Sequence, residues 1–177
     1  MAITSSTHTC HASSLLILGA GGLGQAVGEI ALASGTFAGI AFLDDKPSAS
    51  CRVVGPLSAL AENRCIYSHC IAAFGNNDLR AAYTCQIKEL GFLLPILVHP
   101  SAAVSPVAHI APGTIIREQV AVSHFVTVEE GCLLNMGCMI DHNCHIGAYS
   151  HIPMGAIVRN GVQIASRSSF TSGEIIQ

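Results

Sequence analysis

Up to about residue 93, short apolar runs alternate with segments of helical periodicity. An aliphatic run at 15–18 leads into a glycine-rich segment, and a helix is predicted over 25–34. The pattern then predicts a strand over 37–43, another over 70–74 and a helix over 78–90. Strands that alternate with helices favour a parallel sheet, so residues 1–95 are interpreted as an α/β, half-Rossmann-like domain.

From residue 98 onward the helical pattern gives way to a period of six residues. Every sixth position from Val98 to Ile176 is aliphatic or aromatic, through fourteen consecutive positions. The side chain four places later is mostly small, and glycine often precedes it, which suits a corner with positive φ. This hexapeptide repeat predicts an all-β parallel β-helix over 96–177. Three short strands would form each coil, with residues 18 apart stacked at about 4.8 Å.

Composition narrows the partners that this chain is expected to have. Half of the 177 residues are apolar and only 11% are charged, which excludes disorder and a coiled coil. The net charge of −3 comes without any basic run, so no nucleic acid is expected. Glycines interrupt the apolar stretch 15–42, and the first fourteen residues lack the Lys or Arg of a signal peptide. We therefore expect a cytoplasmic protein with no membrane partner, whose mature chain begins at residue 1.

Eight cysteines raise the questions of disulfides and of a metal site. In the predicted β-helix, Cys132, Cys138 and Cys144 fall on small interior positions of one coil, which favours reduced packing residues. A zinc site is the alternative, because His142 and His145 lie nearby in sequence. Hexad spacing directs successive residues to different walls, unlike the Cys-x-x-Cys pairs that converge on zinc, so no metal is expected.

The glycines that follow the first strand have the spacing of a phosphate-binding turn. Gly19, Gly21 and Gly24, with Gly22 between them, precede a predicted helix whose backbone N–H groups can meet a phosphate. Asp44 follows the second strand, where an acid often binds a ribose hydroxyl. These features alone favour a nicotinamide-dependent reductase, but the α/β part holds only half of such a fold and no substrate domain follows. The other interpretations are a nucleotide or nucleotide-sugar site, and a turn needed only for strand-to-helix packing.

A second group of polar residues lies in the repeat. His142 occupies an outward position, His124 precedes it by one coil and Asn160 follows it by one coil, so the three are predicted to form a ladder. An imidazole takes up and releases a proton near neutral pH, as a general base must. Asp141 beside it can fix the tautomer of the ring. The alternative is an ordinary surface histidine.

Together these features resemble the bacterial sugar O-acyltransferase family, which includes sialic acid O-acetyltransferases and UDP-4-amino-sugar N-acetyltransferases. The resemblance spans nearly the whole chain. It rests on Leu18-Gly-Ala-Gly-Gly-Leu-Gly24, Phe42-Leu-Asp-Asp45, Phe74-Gly-Asn-Asn-Asp-Leu-Arg80, His99-Pro-Ser101, Asp141-His-Asn-Cys144 and Tyr149-Ser-His151. It implies a left-handed β-helix and a homotrimer, with acetyl-CoA bound in the groove between neighbouring β-helices.

The resemblance also implies roles for individual residues. His142 matches the general base of the family, His151 matches a histidine near the acetyl group, and Asn160 falls where a glycine N–H polarises the acetyl carbonyl. The residues expected to bind the sugar nucleotide are Gly19, Gly21, Gly22, Gly24, Asp44, Asp45, Asn76 and Asn77. Those expected to bind acetyl-CoA are His151, Gly155, Asn160 and Gly161.

The predicted function is transfer of an acetyl group from acetyl-CoA to an amine or hydroxyl of a nucleotide-activated sugar. His142 would act as the base and Asp141 would orient it. The sequence differs from the family pattern at Leu23, where a histidine near the sugar is frequent, and at Asn143, where an acidic residue often supports the base. Family chains also usually continue for further coils. A truncated, non-catalytic trimeric scaffold or nucleotide-sugar-binding protein is therefore the alternative function.

Overall fold

The computed structural model describes residues 13–46 and 50–177. The expectation about where the mature chain begins concerns a segment outside these residues, and so does the cysteine at position 10. Within the described ranges, no helix is both long enough and apolar enough to cross a membrane.

The N-terminal part is a four-stranded parallel sheet with helices packed against it, as the alternating pattern predicts. The strands lie in the order β3-β2-β1-β4. Their bounds are β1 Ser14–Leu18, β2 Gly39–Leu43, β3 Val53–Gly55 and β4 His69–Ala72. The α-helices are α1 Gly22–Ala33 and α2 Asn77–Glu89, and two short 3-10 helices span Leu57–Leu60 and Glu62–Cys65.

Two details of this domain differ from the sequence-based expectation. Helix α1 begins at Gly22 and not at residue 25, because the extended Gly21 is its N-cap and the glycine-rich segment itself enters the helix. Strand β3 was not predicted at all. It is a three-residue edge strand that is only partly buried, so it has no apolar run to mark it.

The C-terminal part is a parallel β-helix in which two-residue strands pair with strands 18 residues away, as the hexapeptide repeat predicts. Thr127 and Val128, for example, pair with His145 and Ile146. We call its three sheets the first, second and third wall. The first wall contains β5 Leu97–Val98, β8 Ile115–Ile116, β11 Leu133–Leu134 and β14 His151–Ile152. The second contains β6 Ala103–Val104, β9 Ala121–Val122, β12 Met139–Ile140, β15 Ile157–Val158 and β17 Ile175–Ile176. The third contains β7 His109–Ile110, β10 Thr127–Val128, β13 His145–Ile146 and β16 Gln163–Ile164.

The interior of the β-helix is apolar and includes the three repeat cysteines. Cys132, Cys138 and Cys144 are buried in one core cluster with the aliphatic hexad residues, which confirms that they are packing residues. Burial raises the pKa of Cys132 to about 11 and that of Cys138 to about 12. All cysteines in the described ranges are free thiols. In the same ranges, no group of His, Cys, Asp and Glu side chains could hold a metal ion.

The N-terminal domain covers the outer face of the first wall. Leu97, Ile115 and Leu133 project from this wall into a core cluster shared with Leu15 and Ile17 of β1. The last helix of the domain ends at Glu89 and the first strand of the β-helix begins at Leu97, so the predicted division at 95/96 falls in the connection.

A buried arginine on α2 joins the two domains. Arg80 has no exposed surface, and its guanidinium donates hydrogen bonds to the carbonyls of Gly131 at 2.7 Å and Tyr149 at 2.6 Å in the β-helix. It also donates to the carbonyl of Phe74, after β4, and to Oδ1 of Asn77. Burial lowers its pKa to about 10, so it stays charged at neutral pH. The turn after β4 is therefore held rigidly against successive coils.

Candidate active site

The glycine-rich turn combines positions that packing requires with positions that stay open. Gly19 has φ +99°, and its N–H donates to the Leu43 carbonyl at 2.8 Å. A Cβ on Gly24 would lie 1.9 Å from the Gly19 carbonyl oxygen, so only glycine fits there. A Cβ on Gly21 or Gly22 would meet nothing within 4 Å. Strand-to-helix packing thus explains Gly24, whereas Gly21 and Gly22 leave space for a ligand.

The open glycines lie at the N-terminus of α1. Gly21 offers no side chain to cap the helix, and the first turn carries no acidic residue. The first N–H groups of an α-helix have no partner within the helix, and the helix dipole makes this end attractive to anions. A phosphate group therefore fits here both sterically and electrostatically.

Asp44 and Asp45 follow β2 beside this turn. The Asp44 carboxylate accepts hydrogen bonds from the backbone N–H of Ala20 at 2.7 Å and of Lys46 at 2.8 Å, which lower its pKa. Asp45 accepts from the backbone N–H of Leu57 at 3.0 Å. The two acids line an open cleft of about 580 Å³ together with β3 and the residues next to it. Asp44 and Asp45 therefore stabilise the turns around this cleft, and they also line it.

Asn76 and Asn77, the other residues expected to contact a sugar nucleotide, have different environments. Asn76 is the N-cap of α2, and its Oδ1 accepts from the Leu79 N–H at 2.8 Å. The buried Asn77 donates through Nδ2 to the Arg167 and Ser168 carbonyls of the β-helix, each at 3.0 Å. Its Oδ1 accepts from Arg80, as noted above. The side chain of Asn77 therefore holds the domains together, and neither of its polar atoms is left for a ligand.

His142 lies at the corner between the second and third walls. Its ring stacks on that of His124, with the centroids 5.1 Å apart and the planes 13° from parallel, which confirms the predicted stacking of these two rings. The Asp141 carboxylate accepts from the His142 backbone N–H at 2.7 Å. No hydrogen bond or ion pair joins Asp141 to the His142 ring in the described residues. The side chain that contacts the ring is Asn143, whose Nδ2 lies 3.1 Å from Nδ1. Asn143, not Asp141, is thus the neighbouring residue that contacts the His142 ring.

The orientation of the Asn143 amide determines which nitrogen of His142 can act as a base. With Nδ2 facing Nδ1, Nδ1 accepts the hydrogen bond, and a neutral ring carries its proton on Nε2. A half-turn of the amide brings Oδ1 to the same place, where it accepts from Nδ1–H and leaves the Nε2 lone pair free. The second arrangement is the one that a general base acting through Nε2 requires.

The residues expected to bind acetyl-CoA differ in whether their backbone N–H groups are free to contact a ligand. The N–H groups of Gly155 and Gly161 donate to the Met136 and His142 carbonyls one coil earlier, and both glycines have positive φ. Their role is to form corners, and a Cβ on either would meet nothing within 4 Å, so they leave open space. The N–H of Asn160, one coil after His142, has no hydrogen-bond partner in the described part of the chain. It remains available to a ligand oxygen.

His142 and His151 lie on opposite sides of the β-helix. His151 begins β14 in the first wall, whereas the corner that carries His142 joins the other two walls. Burial and the nearby Arg80 lower the pKa of His151. One chain therefore cannot bring both rings to the same small ligand, and a site that uses both needs two chains.

Comparison with known proteins bears directly on this arrangement. Residues 14–87 match the PglD N-terminal domain family. The acetyltransferase domain of PglB from Neisseria gonorrhoeae FA1090, in complex with acetyl coenzyme A, is 31% identical over 93% of this chain and 90% of that chain, with a TM-score of 0.80. The chain belongs to the bacterial sugar acetyltransferases. It is thus an acyltransferase, and its β-helix is the left-handed one of this family.

A second sugar acetyltransferase is also similar in structure. PerB from Caulobacter crescentus, in complex with CoA and GDP-perosamine, is 28% identical over 91% of this chain and 87% of that chain, with a TM-score of 0.82. The comparison with curated protein sequences found no significant match.

Three polar residues on the side of the β-helix that carries His151 were not predicted to have a role from the sequence. Arg80 belongs to a motif quoted above, but an arginine on an amphipathic helix is normally exposed, and nothing in the local pattern marks it as buried. Arg117 and Asn135 follow first-wall strands one coil apart and were not singled out. Their spacing of 18 residues is the only sequence signal that could have linked them.

Proposed function

We propose that this acetyltransferase moves an acetyl group from acetyl-CoA to an amine or hydroxyl of a nucleotide-activated sugar. The observation that carries the proposal is the corner between the second and third walls. There the His142 ring stacks on His124 and contacts Asn143 through Nδ1, and Asn160 offers a free N–H one coil away. The similarity to proteins described with acetyl coenzyme A, or with CoA and GDP-perosamine, supports the same classes of ligand for this chain.

In the proposed reaction His142 is the general base. Its Nε2 takes the proton from the sugar amine or hydroxyl while that group attacks the thioester carbonyl carbon. The N–H of Asn160 donates to the carbonyl oxygen as negative charge develops on it. When the carbon–sulfur bond breaks, the imidazolium returns the proton to the leaving thiolate. No acyl-enzyme forms, because the three repeat cysteines are buried in the core and their pKa values are raised.

The nucleotide part of the acceptor is assigned to the N-terminal domain. The N-terminus of α1, opened by Gly21 and Gly22, takes the phosphate groups. Asp44 and Asp45 line the adjoining cleft, where carboxylates can accept from ribose or base donors. Asn76 lies on the neighbouring turn with its backbone close to the same edge of the sheet.

We also propose that the enzyme is a homotrimer. The outward residues of the second wall form an apolar strip that borders a groove of about 460 Å³, which reaches Asp141 beside the base. This strip consists of Ala103, Ala121, Met139, Ile157 and Ile175. A second chain on this strip would bury it, and a site that uses both His142 and a His151 needs such a second chain.

The decisive experiment is an acetyl-CoA-dependent assay with UDP-, GDP- and CMP-sugars, using the wild type, His142→Ala and His109→Ala. His109 is an exposed histidine of the third wall and serves as the matched control. We expect transfer to at least one amino or hydroxy sugar nucleotide, lost in His142→Ala and kept in His109→Ala. A wild type that neither transfers acetyl nor binds acetyl-CoA would support the non-catalytic scaffold instead.

A further inference from the structure

His151 is linked to a row of polar side chains along the corner between the first and second walls. Its Nε2 lies 3.2 Å from Nδ2 of Asn135. Oδ1 of Asn135 accepts from Nη1 of Arg117 at 3.1 Å. Arg117 in turn is held by the Glu118 carboxylate, with Nε and Nη2 at 3.0 and 3.3 Å from its two oxygens. The Arg117 side chain is only 14% exposed, so its guanidinium is largely shielded from solvent.

The row determines which atom of the Asn135 amide faces His151. A guanidinium can only donate hydrogen bonds, so the Asn135 atom that meets Arg117 must be the oxygen. The backbone N–H of Met136 also donates to this atom, at 2.9 Å. Two donors therefore fix the amide, and its nitrogen is left to face the imidazole.

The fixed amide in turn determines the tautomer of His151. An amide nitrogen only donates, so Nε2 of His151 must accept, and the neutral ring carries its proton on Nδ1. This Nδ1–H has no hydrogen-bond partner among the residues of 13–46 and 50–177. On one side of His151 in the first wall lies Leu133, buried under the N-terminal domain, and on the other lies Ser169. The free donor thus lies where the covered part of the wall ends.

We propose that Arg117 and Asn135 are positioning residues that hold His151 as the Nδ1–H tautomer, so that it donates a hydrogen bond to a ligand oxygen and does not act as a second base. The role in catalysis rests on the proposed function, whereas the tautomer does not. The charged groups around the ring are Arg80 on α2, and Arg117 with Glu118 along the corner. Burial and the nearby Arg80 both disfavour the imidazolium and lower the pKa of His151.

The test uses Asn135→Asp, a nearly isosteric change that inverts the network. The carboxylate still accepts from Arg117 and Met136, but its other oxygen accepts from His151, which forces the proton onto Nε2. ¹⁵N NMR of the imidazole nitrogens should show Nδ1–H in the wild type and in Arg117→Lys, and Nε2–H in Asn135→Asp. Gln86→Glu, an exposed change on α2, controls for added negative charge and should leave the tautomer unchanged.

The pH dependence of kcat provides a second test of the same proposal. Above the pKa of the variant ring, Asn135→Asp should lower kcat at least about tenfold, because Nδ1 no longer carries a proton. As the pH falls and the ring becomes an imidazolium, both nitrogens carry protons, so the ratio of variant to wild-type kcat should rise. A purely structural defect would give a ratio that does not change with pH.

Wild-type His151 protonated on Nε2, or a ratio independent of pH, would overturn the proposal. If the wild type shows no acetyl transfer at all, the proposed function fails, and the NMR result still decides the tautomer.

Discussion

The two apolar sides of the β-helix are built from the same repeat and yet have different surroundings. On the first wall, Leu97, Ile115 and Leu133 are buried because the N-terminal domain packs on them. On the second wall, Met139 and Ile175 stay 46% and 56% exposed in the single chain. The hexad places both sets in the same outward register, so the repeat cannot distinguish them. The difference shows that the cover on each wall, and not the strand pattern, decides whether an outward apolar residue belongs to the core.

The proposed chemistry lies at the edge of the open side, so the largest expected effect is on catalysis there. His142→Ala should lower kcat by ~10²–10⁴, because proton removal from the acceptor is lost. Its affinity for acetyl-CoA should hardly change, since the base contacts the acceptor. Steady-state kinetics and a binding titration measure both quantities. Activity within about threefold of the wild type would refute the proposed mechanism, and His109→Ala is the matched control.

Thiol reactivity compares the interior with the surface. Cys65 and Cys85 are exposed and should react rapidly with a thiol reagent under native conditions. Cys132, Cys138 and Cys144 should resist, because they are buried and their raised pKa values leave little thiolate. Mass spectrometry of the labelled protein with and without denaturant locates the reactive sites. Rapid native labelling of the three repeat cysteines would contradict this packing.

Truncating one residue on each wall measures how much the cover contributes to stability. Leu133→Ala removes a fully buried side chain at the domain contact and should lower the free energy of unfolding by about 2–5 kcal/mol. Met139→Ala should cost much less in a single chain, because that side chain is half-exposed. Urea unfolding at several protein concentrations separates the contributions of fold and assembly. If both variants lost the same free energy of unfolding at high dilution, the two walls would not differ in their surroundings.

A charge on the second wall tests whether another chain covers it. Met139→Glu would place a carboxylate on the apolar strip, where burial against a partner is unfavourable. We expect light scattering to give about 55 kDa for the wild type, three times the chain mass of 18.4 kDa, and a smaller mass for the variant. A wild type that stays monomeric at micromolar concentration would exclude both the trimer and a site shared between chains.

The smallest effect is expected inside the covering domain. Hydrogen bonds from Ala20 and Lys46 lower the pKa of Asp44, so it stabilises the fold above the ordinary pKa of 3.8, and this contribution is lost as the pH falls through the lower, folded-state pKa. Asp44→Asn should cost under about 1 kcal/mol at pH 7, because the carboxylate is partly exposed to solvent. Thermal unfolding of both proteins should show a difference at pH 7 that shrinks as the pH falls below 3.8. A difference that does not change with pH would assign the effect to the shape of the turn.

Those parts of this protein that depend on local periodicity could be predicted from the amino-acid sequence. Fourteen aliphatic or aromatic positions at a spacing of six define the coils, the buried cysteines and the stacking of His124 on His142. Such features depend only on residues 6 or 18 apart, which the repeat brings together wherever the rest of the chain lies. The glycine-rich turn could be predicted as well, because Gly24 is required by its contact with Gly19, five positions earlier.

The contacts between the two domains and along the corners of the β-helix could not be predicted in this way, because they depend on how distant segments pack. Asn77 was expected to bind a ligand, but the docking of α2 on the β-helix uses its amide, and Arg80 is buried there for the same reason. Asp141 and Asn143 both flank His142, but it is the side chain of Asn143, which has positive φ, that contacts the imidazole. Whether two side chains form a hydrogen bond depends on distances of a few tenths of an ångström and on side-chain rotation. Adjacent positions in a sequence do not contain that information.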